Sequence, residues 1–105
     1  MYDIETIQAM YSGRAIEVTK HFHDRIKERG IKYADVAQTI MNGEIIEQIL
    51  DDYPRPSILI SGYGRDNKAL HIAIGIDDNK LWLITAYQPM LDIWEPDFKT
   101  RKAVE

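Results

Sequence analysis

The sequence predicts an α+β domain in which N-terminal helices pack on one face of a four-stranded antiparallel sheet. Up to Gly43, apolar residues recur at helical spacing between capping residues and glycine stop signals. After Gly43 they form short runs separated by turn residues, as strands do. A chain of 105 residues with 45% hydrophobic content is of the size that builds one core, so we expect a single domain over residues 1–105.

The first helix is predicted over residues 3–13, because Ile4 and Ile7 begin an apolar pattern of helical period. Asp3 is suited to cap it, since its carboxylate can accept a hydrogen bond from a free backbone N–H of the first turn. Residues 15–18 follow as a brief strand or as an extended lead-in to the second helix.

The second helix is predicted to start at a Thr19 cap and to run to about Arg29. Gly30 fits the left-handed position that ends helices. Phe22 and Ile26 are four residues apart, so they lie on one side of the helix and are expected to face the core.

A basic flank is the most informative feature of this helix. Residues 19–30 contain two histidines and four basic residues, in a chain of net charge -4. His21, Arg25 and Arg29 fall at i, i+4 and i+8, so they share one flank of the helix, offset from its apolar side. Because imidazole moves protons near neutral pH and guanidinium groups bind phosphate oxygens, the flank predicts a phosphate site.

A third helix is predicted over residues 33–42, with Gly43 as its stop signal. Four strand-like runs follow: EIIEQILDDY, SILISGYG, ALHIAIGI and KLWLITAY. Short turns join them, which favours an antiparallel meander. The C-terminal tail, residues 88–105, contains two prolines and is expected to be irregular, with a short helix at its end as an alternative.

Strict alternation assigns the side chains of the last two strands to faces. His71 lies on the face opposite the Leu and Ile residues of ALHIAIGI. The neighbours of His71 on that face, Ala73 and Gly75, are small. The face therefore either packs against a helix, where only small residues fit, or is open to solvent with His71 exposed on it. In KLWLITAY, alternation places Leu83, Thr85 and Tyr87 on one face and Ala86 on the other. Two neighbouring hydroxyl groups can bind a phosphate or orient a histidine.

The composition excludes several kinds of site. There are no cysteines, so disulfides, cysteine zinc sites and thiol nucleophiles are excluded. No apolar run approaches the roughly 20 residues of a membrane span. The first ten residues lack the basic-then-apolar order of a signal peptide. We therefore expect a cytoplasmic protein without a membrane partner.

The charge is distributed unevenly. Residues 14–32 contain six Lys and Arg against three acids, whereas residues 33–54 contain five acids and no Lys or Arg. The net charge argues against a long nucleic-acid groove, because such grooves depend on many cations. A local phosphate site is compatible with it.

Two further patterns are less informative. His21 and His23 are about 200° apart around a helix, so they cannot share one metal ion, and we expect no metal site and no cofactor. The glycine-rich turn of residues 62–67 lacks the phosphate-loop pattern. Its Tyr63 and Arg65 can reach a sheet edge, which makes Arg65 a candidate for contacting the substrate.

An ordered set of short motifs carries a family resemblance. They are Thr19-Lys20-His21, Arg25, Arg29-Gly30-Ile31, Asn42-Gly43-Glu44-Ile45-Ile46, Leu70-His71 and Ile84-Thr85-Ala86-Tyr87. In these the chain resembles domain-of-unknown-function family 4258, from about residue 16 to residue 87. The motif WEPDFKTRK in the tail is similar to the tail of some members.

That family is remotely similar to the RelE-like and colicin-like ribonucleases, and the resemblance implies helices packed on a four-stranded antiparallel sheet. It further implies a toxin-like, metal-independent endoribonuclease that acts on RNA. Such a toxin is often paired with an antitoxin, which can be a small zinc-finger or helix-turn-helix protein. The acidic net charge departs from RelE-type toxins, which are usually strongly basic.

The positions that the resemblance implies as catalytic are His21, Arg25, His71, Thr85 and Tyr87. Arg29 is implied as a supporting contact to the substrate. His21 would move a proton of the ribose or of the leaving oxygen, and Arg25 would stabilise charge on the phosphate. His71 would be a second proton-transfer group, oriented together with the phosphate by the two hydroxyls.

Two alternatives stay open. The chain can instead be a non-catalytic interaction domain, with the acidic residues 33–54 and the tail aromatics Trp94 and Phe98 as docking surfaces. Those aromatics can equally fold back on the domain as core. A homodimer formed through a sheet edge or through the tail is a further alternative.

Overall fold

The computed structural model of the chain describes residues 1–103 and confirms the predicted α+β class. The helices are α1 (Ile4–Ser12), α2 (Lys20–Glu28) and α3 (Tyr33–Asn42). The strands are β1 (Ile16–Val18), β2 (Glu44–Ile49), β3 (Ser57–Tyr63), β4 (Ala69–Ile76) and β5 (Leu81–Tyr87), with a short 3-10 turn, Arg65–Asn67, between β3 and β4.

The strands form one sheet of five, in the order β1-β5-β4-β3-β2. The pairs from β2 to β5 are antiparallel, as predicted, but β1 lies parallel to β5. The predicted four-stranded antiparallel sheet is therefore corrected to a five-stranded mixed sheet. The reason is that the lead-in to α2 joins the sheet, where Ala15 O accepts a hydrogen bond from Leu81 N at 2.8 Å.

The Thr19 cap fixes both the start of α2 and its position beside β5. Its hydroxyl oxygen accepts a hydrogen bond from Phe22 N at 3.0 Å, and the hydroxyl donates to Leu83 O at 3.3 Å. At the other end of the helix, Gly30 has a φ of 67°, the left-handed conformation that favours glycine. Both predicted helix signals are confirmed.

The helices pack on one face of the sheet. Ile7 of α1, Phe22 of α2 and Ile40 of α3 join a single buried core with alternate residues of the strands. In β4 these core residues are Leu70, Ile72, Ile74 and Ile76. His71 lies between two of them and so points to the opposite face, which we call the distal face. The distal face is not pressed against a helix.

Two β-bulges change which side chains face the core. In β5, Ile84 is an extra residue between Leu83 and Thr85. Leu83 is buried in the core, whereas Thr85 and Tyr87 pair with distal-face residues of β4. The prediction that these three share one face is wrong, because an extra residue breaks strict alternation. A second bulge, at Ile46, interrupts β2 in the same way.

We expect Gly62→Ala to lower the free energy of unfolding by about 1–3 kcal/mol. A Cβ at Gly62 would lie 2.8 Å from Thr39 O and 3.1 Å from Gly43 Cα, so backbone would have to move. The measurement is urea denaturation.

Gly13→Ala is the control for this variant. Gly13 has an ordinary φ of -76°, and the nearest atom to an added Cβ is 3.2 Å away. Gly13→Ala is therefore expected to lower the free energy of unfolding by less than Gly62→Ala does. Equal stability of Gly62→Ala and the unmodified protein would contradict the close approach of α3 to β3.

Candidate functional site

Arg29 follows the end of α2 and reaches around the edge of the sheet. Its Nη1 donates to Thr85 Oγ1 at 3.2 Å and to Ala86 O at 2.8 Å. The contact is possible because β1 ends at Val18, which pairs with Leu83, so the later residues of β5 form an open edge. The residue that caps the end of α2, on the helix side of the sheet, thereby meets a hydroxyl of the distal face.

His71 and Tyr87 form a second pair on the same face, where their strands are paired residue to residue. His71 Nδ1 lies 3.1 Å from Tyr87 Oη, and His71 Nε2 lies 2.6 Å from Phe98 O. A carbonyl oxygen can only accept, so Nε2 carries the proton and Nδ1 accepts the Tyr87 hydroxyl proton. We call Arg29, Thr85, Tyr87 and His71 the edge cluster.

The tail folds back over the His71 end of the distal face. The edge of the His71 ring and the Trp94 ring meet with centroids 4.5 Å apart, and His71 is 0% exposed. Ser61 Oγ donates to Phe98 O at 3.1 Å, which adds a second anchor at the same carbonyl. The imidazole is therefore enclosed by the tail.

Arg101 clamps the tail in place. Its Nε donates to Glu47 Oε2 at 2.6 Å, and its guanidinium carbon lies 4.6 Å from the centre of the Trp94 ring. Trp94 is 2% exposed, so the prediction that it is a docking residue is wrong; it packs as core, the other alternative. The described tail, residues 88–103, is irregular as predicted and contains no helix, and residues 104–105 lie outside the described range.

Burial shifts the pKa of both members of the His71–Tyr87 pair. Loss of solvation lowers the pKa of His71 from 6.5, and this effect outweighs the opposing hydrogen bond to Phe98 O. Burial also raises the pKa of Tyr87 from 10.0. Both groups are thus held in their neutral forms, as the tautomer requires.

The structure leaves His21 and Arg25 apart from His71. Both share the flank of α2 that leads to Arg29, but at 1.5 Å per residue His21 lies about 12 Å from Arg29 along the helix. His21 is exposed, and Arg25 forms an ion pair with Glu28 at 3.1 Å. Within residues 1–103, no hydrogen bond links either residue to the edge cluster.

Arg65 has a structural partner. Its Nε and its backbone N–H donate to Asp35 Oδ1 at 3.1 and 2.9 Å, and Asp35 is buried. Burial alone would raise the pKa of Asp35, but hydrogen bonds from Lys32 N–H and from Arg65 hold it below its usual value. Arg65 thus joins the β3–β4 turn to α3, away from the edge cluster.

A groove of about 440 Å³ borders the edge cluster, lined by Arg29, Tyr87, Gln88, Met90, Ile93 and Trp94. Sequence patterns singled out Trp94 but not Gln88, Met90 or Ile93, because an irregular segment has no periodicity to place them. A smaller groove of about 220 Å³ lies on the other side of Tyr87, against Ala73 and Arg101. Tyr87 is therefore accessible from two sides although His71 is not.

The remaining histidine contacts a tyrosine. His23 Nδ1 lies 2.8 Å from Tyr33 Oη, on the side of α2 away from Arg29. Among residues 1–103, no three His, Asp or Glu side chains are grouped so that they could hold a metal ion. In the same range, no helix has the length and the apolar character needed to cross a membrane.

The fold and the edge cluster define an α+β domain with a polar site on the helix-free face of its sheet. Over residues 18–88 the chain matches the model of the family described as Domain of unknown function (DUF4258), and it belongs to that family. The match includes the whole edge cluster and ends before the apolar tail residues of the groove. No curated protein and no solved structure matched the chain.

We expect His71→Gln to flatten the pH dependence of stability between about pH 7.5 and about pH 5.5. Because the pKa of His71 is lower in the folded than in the unfolded state, the unfolded chain binds the proton more readily. The stabilisation is therefore complete above the unfolded pKa and decreases as the pH falls through it. Denaturant midpoints across this range measure the effect.

His21→Gln is the matched control for the pH series, since it removes an exposed imidazole from the same protein. A change of slope in His71→Gln that is absent from His21→Gln assigns the effect to the buried imidazole. Identical slopes for His71→Gln and the unmodified protein would show that His71 is not buried in solution.

We expect Trp94→Ala to lower the free energy of unfolding by about 3–5 kcal/mol, the usual cost of deleting a buried aromatic side chain. Leu91→Ala, in the same tail but at a position that is 52% exposed, should change it by no more than about 0.5 kcal/mol. Thermal or urea unfolding measures both. Equal effects would show that the tail does not pack on the distal face.

Proposed function

We propose that this protein is a metal-independent endoribonuclease, the toxin-like component of a toxin–antitoxin system, which cleaves RNA by internal transphosphorylation. The observation that supports this best is the edge cluster, in which a guanidinium and a tyrosine–histidine pair border one groove. This reaction requires one group that stabilises the charge on the phosphate and one that transfers protons.

Arg29 is the phosphate-binding member. Its Nη1 is held by two neutral acceptors, and none of the ion pairs within residues 1–103 includes Arg29. The positive charge is therefore not neutralised inside the protein and is free to stabilise the extra negative charge that develops on the phosphate. Thr85 orients the guanidinium through its hydroxyl oxygen.

The Tyr87–His71 pair takes up the proton of the ribose 2′-hydroxyl. Tyr87 Oη accepts that proton and passes its own proton to His71 Nδ1, while the 2′-oxygen forms a bond to phosphorus and the bond to the 5′-oxygen breaks. The leaving oxygen takes a proton from water in the open groove, and the hydroxide so formed takes a proton from Tyr87 while His71 returns its proton to Tyr87, so the pair is neutral again after the reaction. His71 thus acts through Tyr87, because its ring is buried and its second nitrogen is bound to Phe98 O.

In this scheme His21 and Arg25 bind the substrate, whereas the resemblance implied that both residues are catalytic. Both lie on the flank of α2 that ends at Arg29, so they are suited to contact the RNA backbone beyond the cleaved phosphate. Few cations are available for such contacts in a chain of net charge -4, which favours a short RNA segment.

We place this activity in the cytoplasm, where RNA is available and where a chain without cysteines needs no oxidising compartment. A cognate antitoxin protein would have to block the groove or Arg29 to silence the enzyme. A homodimer formed through a sheet edge or through the tail stays an alternative.

The second candidate function is a non-catalytic interaction domain. One observation favours it: His71 uses both ring nitrogens inside the protein and is covered by the tail, as a purely structural histidine would be. In that case the docking surface of the acidic stretch 33–54 is reduced to the exposed Asp51 and Asp52, because Asp35, Glu44 and Glu47 are paired with cations of the protein. Trp94 is not accessible either.

We expect Arg29→Gln and Tyr87→Phe each to lower kcat/KM for a single-stranded RNA by about 100-fold, the usual worth of one charge-stabilising or proton-transfer group. Tyr87→Phe keeps the ring but interrupts the proton path, so the loss should lie in kcat. His21→Ala should raise KM with a smaller effect on kcat. Products are expected to end in a 2′,3′-cyclic phosphate.

Arg14→Gln is the matched control, because it removes an exposed guanidinium next to Ala15, which contacts Leu81 at the end of β5 opposite to Tyr87. Cleavage rates are compared only among variants whose helical content equals that of the unmodified protein. The ribonuclease proposal fails if the unmodified protein leaves RNA intact, or if Tyr87→Phe cleaves RNA as fast as the unmodified protein. The interaction domain then becomes the better account.

A further inference from the structure

The groove beside the edge cluster has two chemically different ends. Arg29 supplies N–H donors at one end, where Tyr87 Oη, whose own proton is donated to His71, supplies an acceptor. Met90 and Ile93 supply an apolar wall at the other end. Met90 is 63% exposed and Ile93 is 50% exposed, so this wall lies open although the neighbouring Trp94 is buried. Gln88, which follows Tyr87 in the chain, also lines the groove and contributes one amide with both a donor and an acceptor.

The polar end fits a phosphate. Arg29 uses one nitrogen, Nη1, for its contacts with Thr85 and Ala86, which fixes the plane of the guanidinium without neutralising its charge. The other guanidinium N–H groups have no acceptor among residues 1–103. A planar set of donors held in this way matches the oxygens of a phosphate.

The apolar end fits a flat, uncharged group. Two exposed aliphatic side chains on a tail that is otherwise anchored can cover one face of a ring without moving. At about 440 Å³ the groove lies within the about 300–1,000 Å³ of typical small-molecule sites, whereas the second groove of about 220 Å³ is smaller than that range. A ligand with a phosphate and one ring system therefore fits this groove.

We propose that the groove binds one unstacked nucleotide of single-stranded RNA, with its phosphate on Arg29 and its base against Met90 and Ile93. The proposal rests on the proposed function and adds the subsite that holds the substrate. Gln88 is the residue that reads the base, because an amide can form paired hydrogen bonds with a base edge. A base inside a duplex is stacked on both faces and cannot enter.

Trp94 reports on the groove without any need for catalysis. The chain has two tryptophans, and Trp82 is bound to Asp77 by a hydrogen bond of 2.8 Å at the other end of β5. In the variant Trp82→Phe, all tryptophan fluorescence therefore comes from Trp94, which lines the groove. Titration with nucleoside 3′-monophosphates should change this emission in a saturable way.

In that background, Arg29→Gln is expected to weaken nucleotide binding by about 10-fold or more, since a charge-assisted contact is lost. Met90→Ala is expected to weaken it by about 3-fold, for the loss of apolar contact. Met41→Ala, an exposed methionine of α3, is the matched control and should have no effect. Inorganic phosphate and free nucleosides should each bind more weakly than the nucleotide.

Base reading is tested separately. Gln88→Ala should change the order of affinity among the four nucleotides while it leaves the affinity for inorganic phosphate unchanged. A 2′-O-methylated single strand should bind, and the corresponding duplex should not. No saturable change, or equal binding by Arg29→Gln, Met90→Ala and the Trp82→Phe parent, would overturn the proposal.

The outcomes separate this proposal from the proposed function. If the protein cleaves RNA but Met90→Ala and Gln88→Ala behave as the parent, the nucleotide subsite is wrong and the ribonuclease stands. If nucleotides bind as described but RNA stays intact, the subsite stands and the ribonuclease is wrong.

Discussion

The candidate site depends on one backbone irregularity, the bulge at Ile84 in β5. Without it, a strand that buries Leu83 would also bury Thr85 and Tyr87, because residues two apart share a face. The extra residue reverses the alternation, so Leu83 stays in the core while the two hydroxyl groups emerge on the distal face. The bulge in β2 has a similar effect, since Glu47 reaches the distal face and binds Arg101 there.

A second constraint is the shortness of β1. It has three residues and covers β5 only from Leu81 to Leu83. The chain then turns at Thr19, whose hydroxyl contacts Leu83 O, and α2 continues beside the uncovered part of β5. This arrangement carries Arg29 to the edge of the sheet, where it bridges the core side and the distal side. A longer first strand would occupy the edge that Arg29 uses.

The tail determines which residues of the distal face are buried and which are accessible. Six ion pairs in the described residues involve six of the Lys and Arg side chains, and two of these pairs, Lys99–Glu44 and Arg101–Glu47, fasten the tail to β2. Exposed ion pairs contribute little each, so the buried Trp94 ring and the hydrogen bonds at Phe98 O are the main anchors. These anchors enclose His71 and leave Tyr87 accessible. Tyr87 can therefore contact a ligand directly, whereas His71 supports Tyr87 from behind.

The sequence by itself determined the three helices, their caps at Asp3 and Thr19, and the antiparallel run of strands, because capping and periodicity are local properties of the chain. It also identified Thr85, Tyr87, His71 and Arg29 as polar residues in informative positions. Only the tertiary structure decided which of these meet. Bulges, the parallel β1–β5 pairing and the folded tail depend on contacts between residues far apart in the chain, and no local pattern records them. For the same physical reason His21 and Arg25, which lie about two turns and about one turn from Arg29 along the same flank, stay outside the edge cluster that Arg29 joins.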